Sequence, residues 1–197
     1  MDEDNIIARN PFCVKDADKE DRPERPVLSV AQVFALAHAI PERYRVVILL
    51  TSFLSLQWGE ASTLTRADIT DGAESVRAGK AMVEVAGLGL VVSRPKSRAG
   101  VRTLTVPEAI RPDILAHLEK YVDNRPDSYV FTGLRGNPLR RSNFTKNVNW
   151  KTATRSVGLA GIHIHDLRHT ANLWASKSGC RPRIRWPVWA TTICGPR

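Results

Sequence analysis

Ile162-His163-Ile164-His165-Asp166-Leu167-Arg168-His169-Thr170 concentrates three histidines and an arginine in nine residues. The stretch reads as an approach strand or loop that enters a helix near His165. On such a helix His165 and Arg168 are three apart and share a face. Asp166 then lies in the first turn, where a carboxylate suits the unpaired amides of a helix start. A forked guanidinium beside an imidazole, close to free N–H groups, is suited to holding one phosphate. The chemistry suggested is phosphoryl transfer or phosphate binding. An ordinary ion pair of Arg168 on a helix face accounts for the same spacing, and both readings stand at this point. A zinc reading of His165 and His169, four apart, needs further ligands. His163 is only two residues from His165, Cys180 is remote and no Cys-x-x-Cys exists, so no metal is expected.

The bulk properties narrow the partner. The chain has 197 residues, enough for one domain with a proper core. Its hydrophobic fraction of 43% is ordinary for a globular protein. The longest apolar stretch, Val46 to Leu56, is too short to span a bilayer and is broken by Thr51, Ser52 and Ser55, so no membrane is expected. Met1-Asp2-Glu3-Asp4 is not a secretory start. Cys13, Cys180 and Cys194 are scattered and odd in number, which argues against a disulfide framework and for a cytoplasmic location. A net charge of +9 favours a polyanionic partner, although a basic solvated surface has the same sign.

Upstream of the histidine box the order of elements is legible. Residues 1–26 are polar and interrupted by prolines, and read as a linker. Ser29 is a good N-cap for a helix with Val30, Val33, Phe34 and Ala37 on one face, ending before Pro41. The next helix, from about Glu42 to Leu56, is apolar nearly all round and therefore central. Gly59 is expected to allow a tight turn, with Glu60 to Thr65 starting a short helix that ends near Asp68. Val83 to Val85, Leu88 to Ser93 and Arg102 to Val106 read as a small antiparallel sheet. A helix over 107–122 follows, with Ile114, Leu115, Leu118 and Tyr121 inward and Pro112 in its first turn. Tyr129 to Thr132 reads as a buried extended piece. Ser142 to Val157 reads as one basic helix that Gly158 ends.

In that frame the box His165-Asp166-Leu167-Arg168-His169-Thr170 resembles the His-x-x-Arg box of the tyrosine recombinases, the phage-integrase family. Thr51 to Ile69, which contains Gln57-Trp58-Gly59-Glu60, resembles the family's first box, especially in its actinobacterial branch. Arg94-Pro95-Lys96-Ser97 resembles the hairpin that carries the catalytic lysine, and Arg102 to Pro107 follows it as in the family. Val130-Phe131-Thr132 and Pro138-Leu139-Arg140 also look familial. The resemblance covers about Pro26 to Gly179.

The resemblance implies an α+β, mostly helical catalytic domain over 27–178 with a small antiparallel sheet, incomplete at its C-terminus. It implies a transesterase acting on double-stranded DNA through a phosphotyrosine link, without metal or cofactor. Lys96, His165 and Arg168 map onto catalytic positions and Glu60 onto a supporting acidic one. Arg98, Arg140, Arg141, Lys146, Lys151 and Arg155 are the expected DNA-binding cations. The departures are as specific. Gln57 stands where the first catalytic arginine belongs, and an amide has neither the charge nor the fork of a guanidinium. Tyr44, Tyr121 and Tyr129 all precede the box, and no tyrosine follows it. The expectation is therefore a DNA-binding remnant that cannot cut and rejoin DNA alone. Its alternative is a subunit completed by another recombinase protomer.

The stretch 179–197 breaks character, with no helical period and several prolines and tryptophans. It reads as a frameshifted tail. Shifting the frame back forces Ala from Trp186-Pro187 and Gly from Trp189-Ala190, because Trp has one codon. With permitted third bases the segment then resembles the family's Met-Gly-His motif.

Overall fold

The computed structural model describes residues 26–93 and 100–177. Lys96, Arg98, the stretch 1–25 and the tail from 178 onward lie outside the described residues, and with them the expected linker and the frameshift reading. Among the described residues the α-helices and strands follow in this order. Helices α1 (Val30–His38), α2 (Glu42–Phe53) and α3 (Trp58–Ala61) come first. Strands β1 (Ser75–Ala78), β2 (Ala81–Val85), β3 (Gly89–Ser93) and β4 (Arg102–Thr105) follow. The chain then continues through α4 (Arg111–Tyr121), α5 (Arg141–Asn147), α6 (Trp150–Ser156) and α7 (Ile164–Lys177).

Helix α1 begins as its sequence dictates. Ser29 Oγ accepts from the Gln32 amide at 3.2 Å, and Gln32 Oε1 accepts from the Ser29 amide at 2.8 Å. Such a reciprocal cap satisfies two donors that a helix start leaves unpaired. Pro41 separates α1 from α2, which is buried from Val46 through Phe53 and packs against α1, α4 and α7. A helix buried on all sides must satisfy its polar side chains locally. Thr51 Oγ1 does so by donating toward the Val47 carbonyl at 2.7 Å.

Antiparallel pairing occurs where expected, but in two separate ladders. β2 and β3 form a hairpin from Ala81↔Ser93 to Val85↔Gly89, while β4 pairs with β1 from Ser75↔Thr105 to Ala78↔Arg102. β1 was not legible, because four residues with one strong β-former give too little alternation. In the pair, Val76, Ala78 and Leu104 point into the core. Gly59 also differs from expectation. It lies inside α3 rather than in a turn, and a Cβ there would meet the Met82 carbonyl oxygen at 2.7 Å. The glycine lets α3 lie directly on β2.

In α4 the buried residues are Ile114, His117 and Leu118, whereas Leu115, expected inward, is exposed. Positions 114, 117, 118 and 121 make one helical stripe, and 115 lies well off it. Buried His117 has Nε2 2.8 Å from the Val130 carbonyl, to which the neutral ring donates. Burial pushes its pKa down, aided by the Arg43 charge and opposed by the Val130 bond and the Glu42 charge. The unfolded chain then binds the extra proton at higher pH than the folded one. Stability from the neutral ring is complete above about pH 6.5 and is lost as the pH falls from there toward the folded value. The melting temperature is expected to drop between pH 7.5 and pH 5.5 in the wild type. His117→Gln, which keeps a donor for Val130, should flatten that drop; an unchanged profile would contradict this role for His117.

The expected single helix over 142–157 is broken into α5 and α6. Asn149 adopts left-handed backbone, φ +47°, a conformation that asparagine tolerates better than most residues. The end at Gly158, φ +74°, is as expected. Helix α7 begins at Ile164, where Asp166 Oδ2 accepts from the His163 amide at 2.7 Å. Its inner residues Leu167, Thr170, Ala171 and Ala175 are buried. Thr170 Oγ1 accepts from the Leu28 amide at 3.1 Å, and Trp174 Nε1 donates to the Leu28 carbonyl at 3.1 Å. The Trp174 ring lies 5.4 Å from that of Phe53. Trp174 is thus a packing residue, while neighbouring Leu173 is exposed.

Candidate phosphate-binding site

The end of α2 and the start of α3 bring Gln57 and Glu60 beside α7. The Gln57 amide donates to Glu60 Oε2 at 2.8 Å, turning the carboxylate back over the start of its own helix. From β4, Arg102 reaches the same carboxylate with both arms, Nη1 to Oε1 at 2.6 Å and Nη2 to Oε2 at 2.9 Å. From α7, Arg168 Nη1 approaches Glu60 Oε2 to 3.8 Å. The side chains are 28% exposed for Arg102, 25% for Arg168 and 12% for Glu60. Two guanidinium groups therefore converge on one half-buried carboxylate.

The electrostatics follow from that convergence. Burial works to raise the Glu60 carboxyl. The Arg102 and Gln57 hydrogen bonds and the charges of both arginines outweigh it, so Glu60 titrates below its ordinary value. Arg168 is pushed below its own by burial, with Arg102 adding repulsion and Glu60 opposing. It remains a cation at any ordinary pH. Its Nη1 is buried and makes no hydrogen bond. Arg102 and Arg168 line an open cleft with Ser55, His169 and Asn172. Ser55 holds left-handed backbone, φ +52°, and donates to Asn172 Oδ1 at 2.9 Å. Strain of this kind concentrates at functional sites.

The structure thus brings together Gln57, Glu60 and Arg168 of the residues singled out from sequence. His165 is exposed one turn before His169 on α7, their rings edge to face at 4.9 Å. Arg141, Lys146, Lys151 and Arg155 project from α5 and α6 as exposed cations. Arg140, just before α5, is half-exposed and pairs with Glu84 of β2 at 3.1 Å. Lys96 and Arg98 follow β3 outside the described residues. Among the described residues, no three His, Cys, Asp or Glu side chains are placed to hold a metal ion. Nor is any described helix long and apolar enough to cross a membrane. Arg102 was not singled out from the sequence, since β-strand alternation says nothing of which carboxylate a strand arginine will reach.

No family model matches the chain. Curated relatives do. The chain is 31% identical over 183 residues to the integrase of Mycobacterium phage L5, covering 90% of this chain and 48% of that protein. It is 29% identical over 178 residues to a prophage phiRv2 integrase of Mycobacterium tuberculosis, covering 89% and 47%. The chain spans about half the length of these relatives. Among solved structures it is similar to the Tn1549 transposon integrase in complex with circular intermediate DNA. That match has a TM-score of 0.73 and 17% identity over 89% of this chain and 62% of that one. The XerA recombinase matches with a TM-score of 0.60 and 17% identity, over 87% and 57%. At such identities the structural matches speak for the fold, which is that of a tyrosine-recombinase catalytic domain.

Proposed function

We propose that this chain, a homologue of mycobacteriophage integrases with the tyrosine-recombinase catalytic fold, is a DNA-binding remnant of a site-specific recombinase that cannot by itself cut and rejoin DNA. The observation that carries the reading is Arg168 held beside Glu60 at the mouth of a cleft. That is how a protein keeps a guanidinium pre-oriented for a phosphate oxygen. In this reading the domain runs over 27–178 after a linker, and the tail 179–197 is a frameshift product. Lys96 occupies the position that protonates a departing sugar oxygen, and His165 the position that assists proton transfer. Arg98, Arg140, Arg141, Lys146, Lys151 and Arg155 hold the duplex through its phosphates, contacts that position without reading sequence.

The inactivity rests on two residue types. Gln57 in place of arginine removes a charge from the clamp, and an uncharged amide stabilises developing negative charge far less. The tyrosines offer no replacement nucleophile. Tyr44 is 3% exposed and its hydroxyl accepts from Asn147 Nδ2 at 3.1 Å. Tyr121 packs on His117 from α4, and Tyr129 pairs with Thr65, so neither lines the Arg168 cleft.

Because Arg168 lies 3.8 Å from Glu60 and lines a cleft that Tyr44, Tyr121 and Tyr129 do not line, a second reading has support. In it the chain is a subunit whose cleft receives a tyrosine from another recombinase protomer. Incubation with duplex DNA, alone and with an intact homologous integrase, separates the two. Retention of duplex by the chain alone, with no strand exchange by the chain and none in the mixture beyond that of the integrase by itself, is the expected result. Strand exchange that depends on Arg168 in the mixture would favour the subunit reading, and failure to retain DNA at low salt would remove both.

A further inference from the structure

We infer that Arg102 is a phosphate-contacting residue, forming with Arg168 a two-arginine clamp around Glu60 that puts back the charge Gln57 lacks. The inference rests on the reading of the cleft as a DNA phosphate site and adds a residue to it. Three features of the geometry support it.

First, the charges do not balance. Among the described residues, Arg102 and Arg168 meet one carboxylate, Glu60, within 4 Å. A purely structural ion pair needs one cation. The second leaves a net positive charge in a half-buried site, which an incoming anion would neutralise. Second, donors are left over. An end-on fork uses one hydrogen on each Nη of Arg102, out of five N–H donors on a guanidinium. Nε–H and the outer Nη hydrogens stay available while Glu60 fixes the plane of the group. Arg168 Nη1 lies buried 3.8 Å from Glu60 Oε2 without a hydrogen bond, so Glu60 does not saturate this guanidinium either. Third, both arginines line one cleft with Asn172, whose Oδ1 accepts from the Ser55 hydroxyl and whose Nδ2 is a donor suited to an anion's remaining oxygens.

Arg102 comes from β4, whereas Gln57 caps α3. The replacement charge therefore arrives from a different element but is anchored by the same carboxylate that the Gln57 amide holds. Arg102→Lys keeps a cation for Glu60 but loses the planar fork, so it separates phosphate contact from mere charge balance.

The test is side-chain NMR of the full chain with ¹⁵N-labelled arginine, titrated with inorganic phosphate at low salt. The Nε–H signals of Arg102 and Arg168, assigned through Arg102→Lys and Arg168→Lys, are expected to shift along one common saturation curve. Arg102→Lys should weaken that binding roughly tenfold, about the loss of one charge-assisted hydrogen bond. Movement of Arg168 alone, of neither signal, or an Arg102→Lys affinity equal to wild type would overturn the clamp. A parallel titration with a duplex of arbitrary sequence separates the clamp from the DNA reading. Phosphate bound through both arginines without retention of duplex would sink the DNA reading and leave the clamp. Duplex retained with a salt dependence unchanged in Arg102→Gln would do the reverse.

Discussion

Phe53→Ala is expected to cost about 3–5 kcal/mol, the usual range for deleting a buried phenyl ring. Phe53 is the last residue of α2 and is fully buried. Its ring lies 5.7 Å from Phe34 of α1 and 5.4 Å from Trp174 of α7. Removing it opens a cavity where three helices meet, and the neighbouring rings cannot collapse into it without moving a helix. Against a total stability of roughly 5–15 kcal/mol, that loss is a large fraction. For a domain of this size it corresponds to a fall in melting temperature of roughly 6–20 °C. The same change loosens α7, which carries Arg168, so phosphate or DNA binding should weaken as well. Leu173→Ala, one residue from Trp174 but 37% exposed, is the control and should stay within about 0.5 kcal/mol. Equal melting of the two variants would show that the three rings do not hold α7 in place.

No covalent protein–DNA adduct is expected from the chain alone. Loss of one preorganised donor at a site of developing charge already costs roughly 100- to 1,000-fold in rate. Here Gln57 lacks the charge, and none of Tyr44, Tyr121 or Tyr129 reaches the cleft. Trapping on a nicked duplex, followed by denaturing electrophoresis, should give no shifted band. Gln57→Arg should tighten DNA binding by restoring a fork and still give no band, because it supplies no nucleophile. A band abolished by Tyr44→Phe, Tyr121→Phe or Tyr129→Phe would overturn the assignment of these tyrosines.

The sequence carried the helical frame because each helix has a local signal. The Ser29 cap, the stop at Pro41, the all-apolar face of α2 and the glycine at 158 act within a few residues of where they stand. The parts that were not legible depend on partners distant in sequence. β1 is defined by its pairing with β4, and Gly59 by the Met82 carbonyl that lies against it. Trp174 is covered through the Leu28 segment, near the other end of the described chain. Helix α5 stops where Asn149 accepts left-handed backbone, an option that composition alone does not choose. Of the candidate site, Glu60 and Arg168 followed from their boxes. Arg102 did not, since its meaning comes from sharing a carboxylate 42 positions away with an arginine on another helix.

This chain is expected to hold DNA through its phosphates. Equilibrium binding of a fluorescent duplex of arbitrary sequence, measured across salt concentration, tests it most directly. The affinity should fall linearly on a log–log plot, by about 0.9 log units per log of salt for each phosphate neutralised. Arg168→Ala should lower the slope by about one contact, whereas Arg9→Ala should leave it nearly unchanged. Binding indifferent to salt, or a slope that Arg168→Ala does not alter, would contradict the account.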